Sequence, residues 1–146
     1  MKKLILALLC ISYAINNCAM DINIDTQYEK TKNTINVMEN IIRQRRHVSA
    51  NDPGFKYVLL LIKLDKFLQI YVPSYNPYAF LNLPIDEAIM VLAAYQKNTQ
   101  LMRFLVPRVQ SFLNRPGVWD ALTHLYFGEV PSVALMVELK SMLMTA

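Results

Sequence analysis

Glycine is scarce in this chain, which has three glycines in 146 residues, at positions 54, 117 and 128. A Walker phosphate loop, a dinucleotide-binding G-x-G-x-x-G motif and a G-x-S-x-G nucleophile elbow each need glycines within a few residues of one another. None of these motifs can be written in this sequence. The shortage also argues against a β-sandwich or β-barrel, because such folds need many glycine-containing turns.

Cysteine and histidine are equally few. Cys10 and Cys18 lie in or beside the first nineteen residues, and His47 and His124 are far apart in the sequence. Neither histidine begins an H-E-x-x-H motif, and no EF-hand spacing is present, although a cation site made of carboxylates alone stays open. The sequence therefore predicts no disulfide in the mature domain, no cofactor and no metal site.

Charge is low and nearly balanced. Charged residues are 18% of the chain and hydrophobic residues 54%, a composition too apolar for a disordered protein. The net charge of +4 falls to +2 when Lys2 and Lys3 are set aside, since 13 basic and 11 acidic residues remain. So small an excess does not select nucleic acid or anionic lipid, and we expect no nucleic-acid partner.

The first nineteen residues have the pattern of a secretory signal peptide. Lys2 and Lys3 provide a positive start, and residues 4–15 form an uncharged apolar run that is too short to span a bilayer as a helix. This pattern predicts an exported protein that is periplasmic, displayed at the cell surface or secreted.

Processing of this leader has several possible outcomes. Cleavage after Ala19 is favoured over cleavage after Ala14, and retention as an anchor or lipid attachment to Cys18 are the weaker alternatives. We therefore expect residues 1–19 to be the signal peptide and residues 20–146 to form a single α-helical domain.

Apolar residues in the remainder recur at spacings of three and four, which predicts an all-α fold. Thr26 and Glu29 match a capping box, and we expect the first helix of the mature domain to begin there. The predicted helices are residues 26–46, 55–72, 84 to a break at 98–99, 101–114 with a kink or division at Pro107, a short helix around 119–125 ended by Gly128, and 131–144. The count is six or seven.

Three predicted helix faces define the expected core. The helix over 55–72 is apolar on nearly every side, so we expect it to be the central buried helix. The inward stripe of the first helix is expected to be Tyr28, Thr31, Ile35, Met38 and Ile42. The wide apolar face of the last helix is expected to be Val133, Met136, Val137, Leu139, Met142 and Leu143.

The stretch over 92–105 resembles the inner helix, turn and outer helix of an ankyrin repeat. It carries Lys97 where that repeat has a glycine, and residues 83–86 lie too far upstream to serve as its opening motif. The resemblance covers only fourteen residues. It leaves two arrangements open, a closed bundle of about six helices or a stack of helical hairpins.

Asp120 and His124 are the best candidates for acid–base catalysis, although the pair is a weak signal. They are four residues apart and therefore share one helix face, where a carboxylate can orient an imidazole and raise its pKa. The simpler interpretation is that Asp120 stabilises the helix start and His124 is a half-exposed helix residue. The pair supports a hydrolase-like enzyme only as an alternative function.

Two segments have the composition of partner-binding surfaces. The segment over 71–84 interleaves prolines with aromatic residues, which are enriched at protein interfaces. The second segment is the end of the first helix, which carries a basic cluster. The candidate partner-binding residues are Tyr71, Tyr75, Tyr78, Arg43, Arg45 and Arg46. The sequence thus predicts an exported, non-catalytic protein-interaction module, with a hydrolase-like enzyme or a membrane-surface-associated protein as alternatives.

Overall fold

The structure, a computed structural model, describes residues 2–43, 50–73 and 79–144, with side chains from Asn23 onward except that of Ala79. The α-helices in these ranges are α1 (Lys2–Arg43), α2 (Phe55–Tyr71), α3 (Ile85–Tyr95), α4 (Thr99–Leu105), α5 (Gln110–Leu113), α6 (Val118–Phe127) and α7 (Val133–Met144). Short 3₁₀ helices lie at Ala79–Asn82 and Val106–Arg108, and the described ranges contain no strand. The prediction of an all-α fold is confirmed.

Helix α3 lies at the centre of the molecule. All seven residues from Ala88 to Ala94 are buried, and the helix packs against α1, α2, α4 and α6. After Glu87 the helix carries no charge and consists mostly of aliphatic side chains, so every one of its faces can be covered without desolvating an ionic group. The helices are therefore arranged around α3.

The prediction that the helix over 55–72 is the central one is wrong. Helix α2 buries one face, made by Leu61, Leu64, Asp65 and Leu68, and leaves other apolar residues in solvent. Its three lysines explain the difference, because an ammonium group needs water or a counter-charge and therefore keeps its side of the helix at the surface.

The start of the first helix also differs from the prediction. Helix α1 is continuous through Thr26 and Glu29, so the backbone amides there belong to the helix interior and no capping box is needed. Residues 2–19, the predicted leader, form the first part of this helix. Its predicted end at residue 46 lies outside the described residues, since the description of α1 stops at Arg43.

The inward stripe of α1 is confirmed for its buried members Thr31, Ile35 and Met38. The next buried position is Ile41, whereas the predicted Ile42 is 41% exposed. Ile41 is covered because the turn before α2 packs on it: a Cβ built on Gly54 would lie 3.1 Å from Ile41 Cδ1.

The break at Pro107 is a division rather than a kink. Helix α4 ends at Leu105, a 3₁₀ helix follows, and α5 begins at Gln110. Proline cannot donate the backbone hydrogen bond that would continue the α-helix, so the chain tightens there into a 3₁₀ helix.

Helix α7 begins at Val133, two residues later than predicted, because the Ser132 hydroxyl accepts a hydrogen bond from the Leu135 amide and caps the helix. Its predicted wide apolar face is too wide. Leu139 is buried, but Val133 and Val137 are 74% and 60% exposed, since α4 and α6 cover only one side of the helix.

Left-handed backbone occurs at Lys97, Gly117 and Gly128 among the described residues, and the first two shape turns that contact the helices. Gly117 precedes α6 with φ of +84°, and a Cβ there would lie 1.8 Å from the carbonyl oxygen of Tyr71, so only glycine fits. Lys97 follows α3 with φ of +58° and closes it in a Schellman motif, in which the Asn98 amide donates to the Ala93 carbonyl.

Candidate functional site

The outward side of α2 carries the first candidate site. Leu59, Ile62 and Ile70 are 52%, 54% and 61% exposed, and with the exposed Lys66 they recur at spacings of three, four and four. Such spacing places the four side chains along one line of the helix. We refer to Leu59, Ile62, Lys66 and Ile70 as the α2 stripe.

The aromatic residues of α2 do not belong to this stripe. Phe67 and Tyr71 are half-buried and pack edge-on against the His124 ring, with centroid distances of 4.6 Å and 5.6 Å. Tyr57 also packs against the core. The outward surface of α2 is therefore aliphatic and basic, because the only acidic residue of the helix, Asp65, is buried.

A groove lies beside the stripe, between α1, α2 and the end of α3. One part, about 390 Å³, is lined by Thr34, Lys56, Tyr57, Leu59, Leu60, Lys63, Tyr95 and Gln96. The adjoining part, about 260 Å³, is lined by Gln27, Lys30, Thr31, Thr34, Gln96 and Asn98. Because Thr34 and Gln96 line both parts, we treat them as one feature, the lysine groove.

Two lysines of this groove, Lys56 and Lys63, lie over aromatic rings. Lys63 Nζ lies 5.0 Å from the ring centroid of Tyr95, and Lys56 Nζ lies 5.1 Å from that of Tyr57. The lining of the groove contains no acidic residue. In the part of the chain that the structure describes, the ion pair that forms is elsewhere, between Arg43 and Glu39 on α1.

The polar part of the groove offers both donors and acceptors. Asn98 Nδ2 donates to Gln27 Oε1 at 2.7 Å, and Asn98 Oδ1 accepts from the Leu101 amide and caps α4. The hydroxyls of Thr31 and Thr34 donate to carbonyls of their own helix, which leaves their oxygen atoms as acceptors.

The predicted pair of Asp120 and His124 does not form the expected contact. His124 Nδ1 lies 2.6 Å from the hydroxyl of Tyr71, which shares a hydrogen bond with it, and the imidazole is enclosed by Phe67 and Tyr71. Asp120 lies in the first turn of α6, where its charge suits the helix dipole. The structure therefore joins His124 to the end of α2 through Tyr71.

The structure describes two of the six predicted partner-binding residues. Tyr71 is half-buried against His124, and Arg43 is exposed and paired with Glu39. Tyr75, Tyr78, Arg45 and Arg46 lie outside the described residues. Phe80, in the 3₁₀ helix over Ala79–Asn82, donates its backbone amide to the buried carboxylate of Asp65 at 3.3 Å, which ties this segment to α2.

A second polar cluster joins α1 to α3 on another side of the molecule. The Tyr28 hydroxyl donates to Asp86 Oδ1 at 2.5 Å, and this hydrogen bond, with burial and the Asp86 charge, raises the pKa of Tyr28 to about 12. Arg108 lies 4.2 Å from the ring centroid of Phe104, which contacts Tyr28 edge-on. Each of these side chains has a partner within the cluster, so the cluster serves to connect α1 to α3.

Glu87, next to Asp86, also has a perturbed environment. Burial raises the pKa of its carboxyl above the ordinary value, and the nearby Arg115 partly opposes that shift. Within the described residues, no group of three His, Cys, Asp or Glu side chains is placed to hold a metal ion.

Sequence reasoning missed the lysine groove. Lys56, Lys63 and Lys66 were recognisable as the polar side of a helix, but Gln27 and Gln96 come from other helices and carry no local signal. One clue was present, because the lysines repeat at α-helical spacing and Asp65 is the only acidic residue of the helix that carries them.

Comparison of the chain with protein families, with curated protein sequences and with solved structures finds no match. Among the described residues, no helix has both the length and the apolar character needed to cross a membrane.

Proposed function

We propose that this protein is a non-catalytic interaction module that docks an acidic amphipathic helix of a partner protein along the α2 stripe. The observation that carries the proposal is the row of Leu59, Ile62 and Ile70, each more than half exposed, on a helix whose outward charges are all positive. Large apolar side chains that stay in water at regular helical spacing are typical of a binding surface.

The positive charge of α2 determines which kind of partner helix fits the stripe. Lys56, Lys63 and Lys66 are exposed on α2, and the sole acidic residue of the helix is buried. A partner helix that presents leucines flanked by glutamate or aspartate would cover the aliphatic row and face the lysines with opposite charge. Such complementarity increases the association rate and disfavours basic partners.

A protein partner suits this surface better than a lipid bilayer. Helices that lie on membranes insert bulky aromatic and aliphatic side chains together. In α2 the aromatic residues Phe67 and Tyr71 pack against His124, so the large apolar side chains that the helix exposes are three separated aliphatic ones. Membrane-surface association is therefore the less favoured alternative.

The hydrolase-like alternative has less support. This alternative depends on a carboxylate that orients the imidazole and raises its pKa. His124 instead shares a hydrogen bond through Nδ1 with Tyr71 and packs against two aromatic rings, while Asp120 lies in the first turn of α6. The participation of Tyr75 and Tyr78 in the interface stays a prediction, as does export of the protein.

The docking proposal is tested with a labelled synthetic peptide that forms an amphipathic helix with one leucine face and flanking glutamates. We expect Ile62→Asp to weaken binding by about tenfold or more, since burial of such a side chain contributes roughly 1.5–3 kcal/mol. Fluorescence anisotropy measures the dissociation constant. The matched control is Val137→Asp, which changes a 60% exposed aliphatic residue on α7 and should leave binding unaltered.

Equal weakening by Ile62→Asp and Val137→Asp would overturn the proposal, as would equal binding of a peptide with lysines in place of the glutamates. Vesicles of anionic phospholipid are included in the same series. Binding to these vesicles that is lost in Ile62→Asp, without binding of the acidic peptide, would replace the protein partner by a membrane surface.

A further inference from the structure

The lysine groove differs from the α2 stripe in its chemistry, although Leu59 borders both. The stripe is mostly aliphatic and faces outward, whereas the groove combines ammonium groups, amides, hydroxyls and two tyrosine rings between three helices. Its two parts, about 390 Å³ and 260 Å³, have the size of sites for small organic molecules.

The charges of the groove favour an anion. Lys56 and Lys63 are exposed, lie at positions i and i+7 of α2 and contact aromatic rings that restrict their movement. Lys30 lines the polar part but also borders a neighbouring surface with Asp25 and Glu29. The attraction for an anion therefore rests on Lys56 and Lys63, whose surroundings in the groove contain no carboxylate.

The polar part of the groove favours a ligand with hydroxyl groups. Gln27 has its carbonyl oxygen occupied by Asn98, which leaves Nε2 to donate, and the oxygens of Thr31 and Thr34 can accept. A hydroxyl group both donates and accepts, so it can be satisfied by this mixture. Inorganic phosphate can contact the ammonium groups, but it has no sugar ring to carry further hydroxyls to the amides and the threonine oxygens at the same time.

The aromatic and aliphatic wall completes the description. Tyr57, Tyr95 and Leu60 provide flat apolar surface beside the ammonium groups. A sugar ring has a face of C–H groups that packs on such a surface while its hydroxyls turn to the amides. We propose that the lysine groove binds an acidic monosaccharide, that is, a sugar that carries a phosphate or a carboxylate group.

The proposal is tested by titrating the full chain with glucose 6-phosphate and, separately, with glucuronate, which distinguish the phosphate from the carboxylate form. Glucose and inorganic phosphate are the reference probes. Two-dimensional ¹H–¹⁵N NMR follows the amide signals, and we expect saturable shifts at Gln96 and Tyr95 with at least one acidic sugar. Each reference probe should bind about tenfold more weakly or worse, because it lacks half of the contacts.

The variant K56Q/K63Q is expected to weaken binding of the acidic sugar by about tenfold or more, since two charge-assisted contacts are lost. The matched control is Lys140→Gln, because Lys140 also lies over an aromatic ring, with Nζ 5.3 Å from the Trp119 centroid, but far along the chain on α7. This control should bind the sugar as the unaltered protein does. Thermal melting of each variant verifies that it is folded.

Three results would overturn the proposal. These are the absence of saturable shifts with both acidic sugars, equal binding of inorganic phosphate, and equal weakening by Lys140→Gln and the double variant. Ile62→Asp separates this site from the docking surface, since it should weaken binding of the acidic peptide by about tenfold or more and leave sugar binding unaltered.

Discussion

At the scale of single residues, Lys97 shows a local conflict between side chain and backbone. It is the non-glycine residue with positive φ in the described part of the chain, and the left-handed region crowds its Cβ against the following carbonyl. The Schellman hydrogen bonds of Lys97 and Asn98 to the end of α3 nevertheless require that conformation.

We expect Lys97→Gly to stabilise the protein by about 0.5–1 kcal/mol. Glycine relieves a left-handed strain of roughly 1–2 kcal/mol, and part of that gain is offset by the greater freedom of glycine in the unfolded chain. Urea unfolding measures the change. Lys97→Ala is the control, because it removes the charge but keeps the Cβ, and it should leave stability within about 0.5 kcal/mol.

A different outcome for the two variants would identify another cause of the conflict. If Lys97→Ala stabilised the fold as much as Lys97→Gly, the lysine charge rather than the backbone conformation would be the source of the conflict. The sequence pointed to this position, since the resemblance to an ankyrin repeat fails at the residue where that repeat has its turn glycine.

At the scale of helices, the hydrogen bond between Tyr28 and Asp86 ties α1 to α3 and makes stability depend on alkaline pH. The folded pKa of Tyr28, about 12, lies above the value of 10.0 for an unperturbed tyrosine. The stabilisation is therefore fully present below pH 10 and is lost as the pH rises through about 12.

We expect Asp86→Asn to lower the pKa of Tyr28 toward its ordinary value, because the carboxylate is its main hydrogen-bond partner and a nearby negative charge. The free energy of unfolding should then fall less steeply between pH 9 and about 11.5 than in the unaltered protein. Urea unfolding across that range and tyrosine absorbance at 295 nm provide the two measurements. Asp120→Asn is the control, and an equal change in that variant would refute the assignment.

The helices themselves were largely predictable, but their roles were not. Spacing of apolar residues, Pro107 and Gly128 located most boundaries, because these signals act within one turn of helix. The choice between α2 and α3 as the central helix depends on which one is covered by neighbours. The apolar composition of α2 predicted that this helix is the central one. Its three lysines keep one side of it in solvent, so α3 is the central helix instead.

The continuity of α1 was missed for a related reason. Thr26 and Glu29 are compatible with a helix start, but the same residues are tolerated inside a helix when the preceding segment is also helical. A capping box is therefore informative only where the residues before it break the helix, and no proline or glycine precedes Thr26.

At the scale of the whole molecule, the predicted signal peptide over residues 1–19 is expected to be removed, so residues 20–146 are expected to fold without it. We therefore expect a chain that begins at Met20 to melt within about 4 °C of the full chain, a change that corresponds to roughly 1 kcal/mol or less.

Export is tested on the same segment. Intact mass of protein recovered from outside the cytoplasm should correspond to a chain that begins at Met20. Recovery of the complete chain with Met1 or Lys2 would contradict cleavage, and a diacylglyceryl mass on Cys18 would replace it with the lipoprotein alternative.

The candidate sites could be predicted only in fragments, because both depend on relations between helices. A sequence places Lys56 and Lys63 on one face but does not show that Gln96 and Thr34 stand opposite them. Likewise, the pairing of His124 with Tyr71 joins residues 53 positions apart, whereas the predicted pairing with Asp120 used spacing within one helix.

The burial of α3 has a consequence for how the molecule opens. A helix covered by α1, α2, α4 and α6 cannot release its amide protons to solvent by fraying or by loss of one neighbour. Deuterium should therefore enter the segment from Ala88 to Ala94 only when all the packed helices separate together, so the slowest exchange in that segment reports the unfolding free energy of the entire domain.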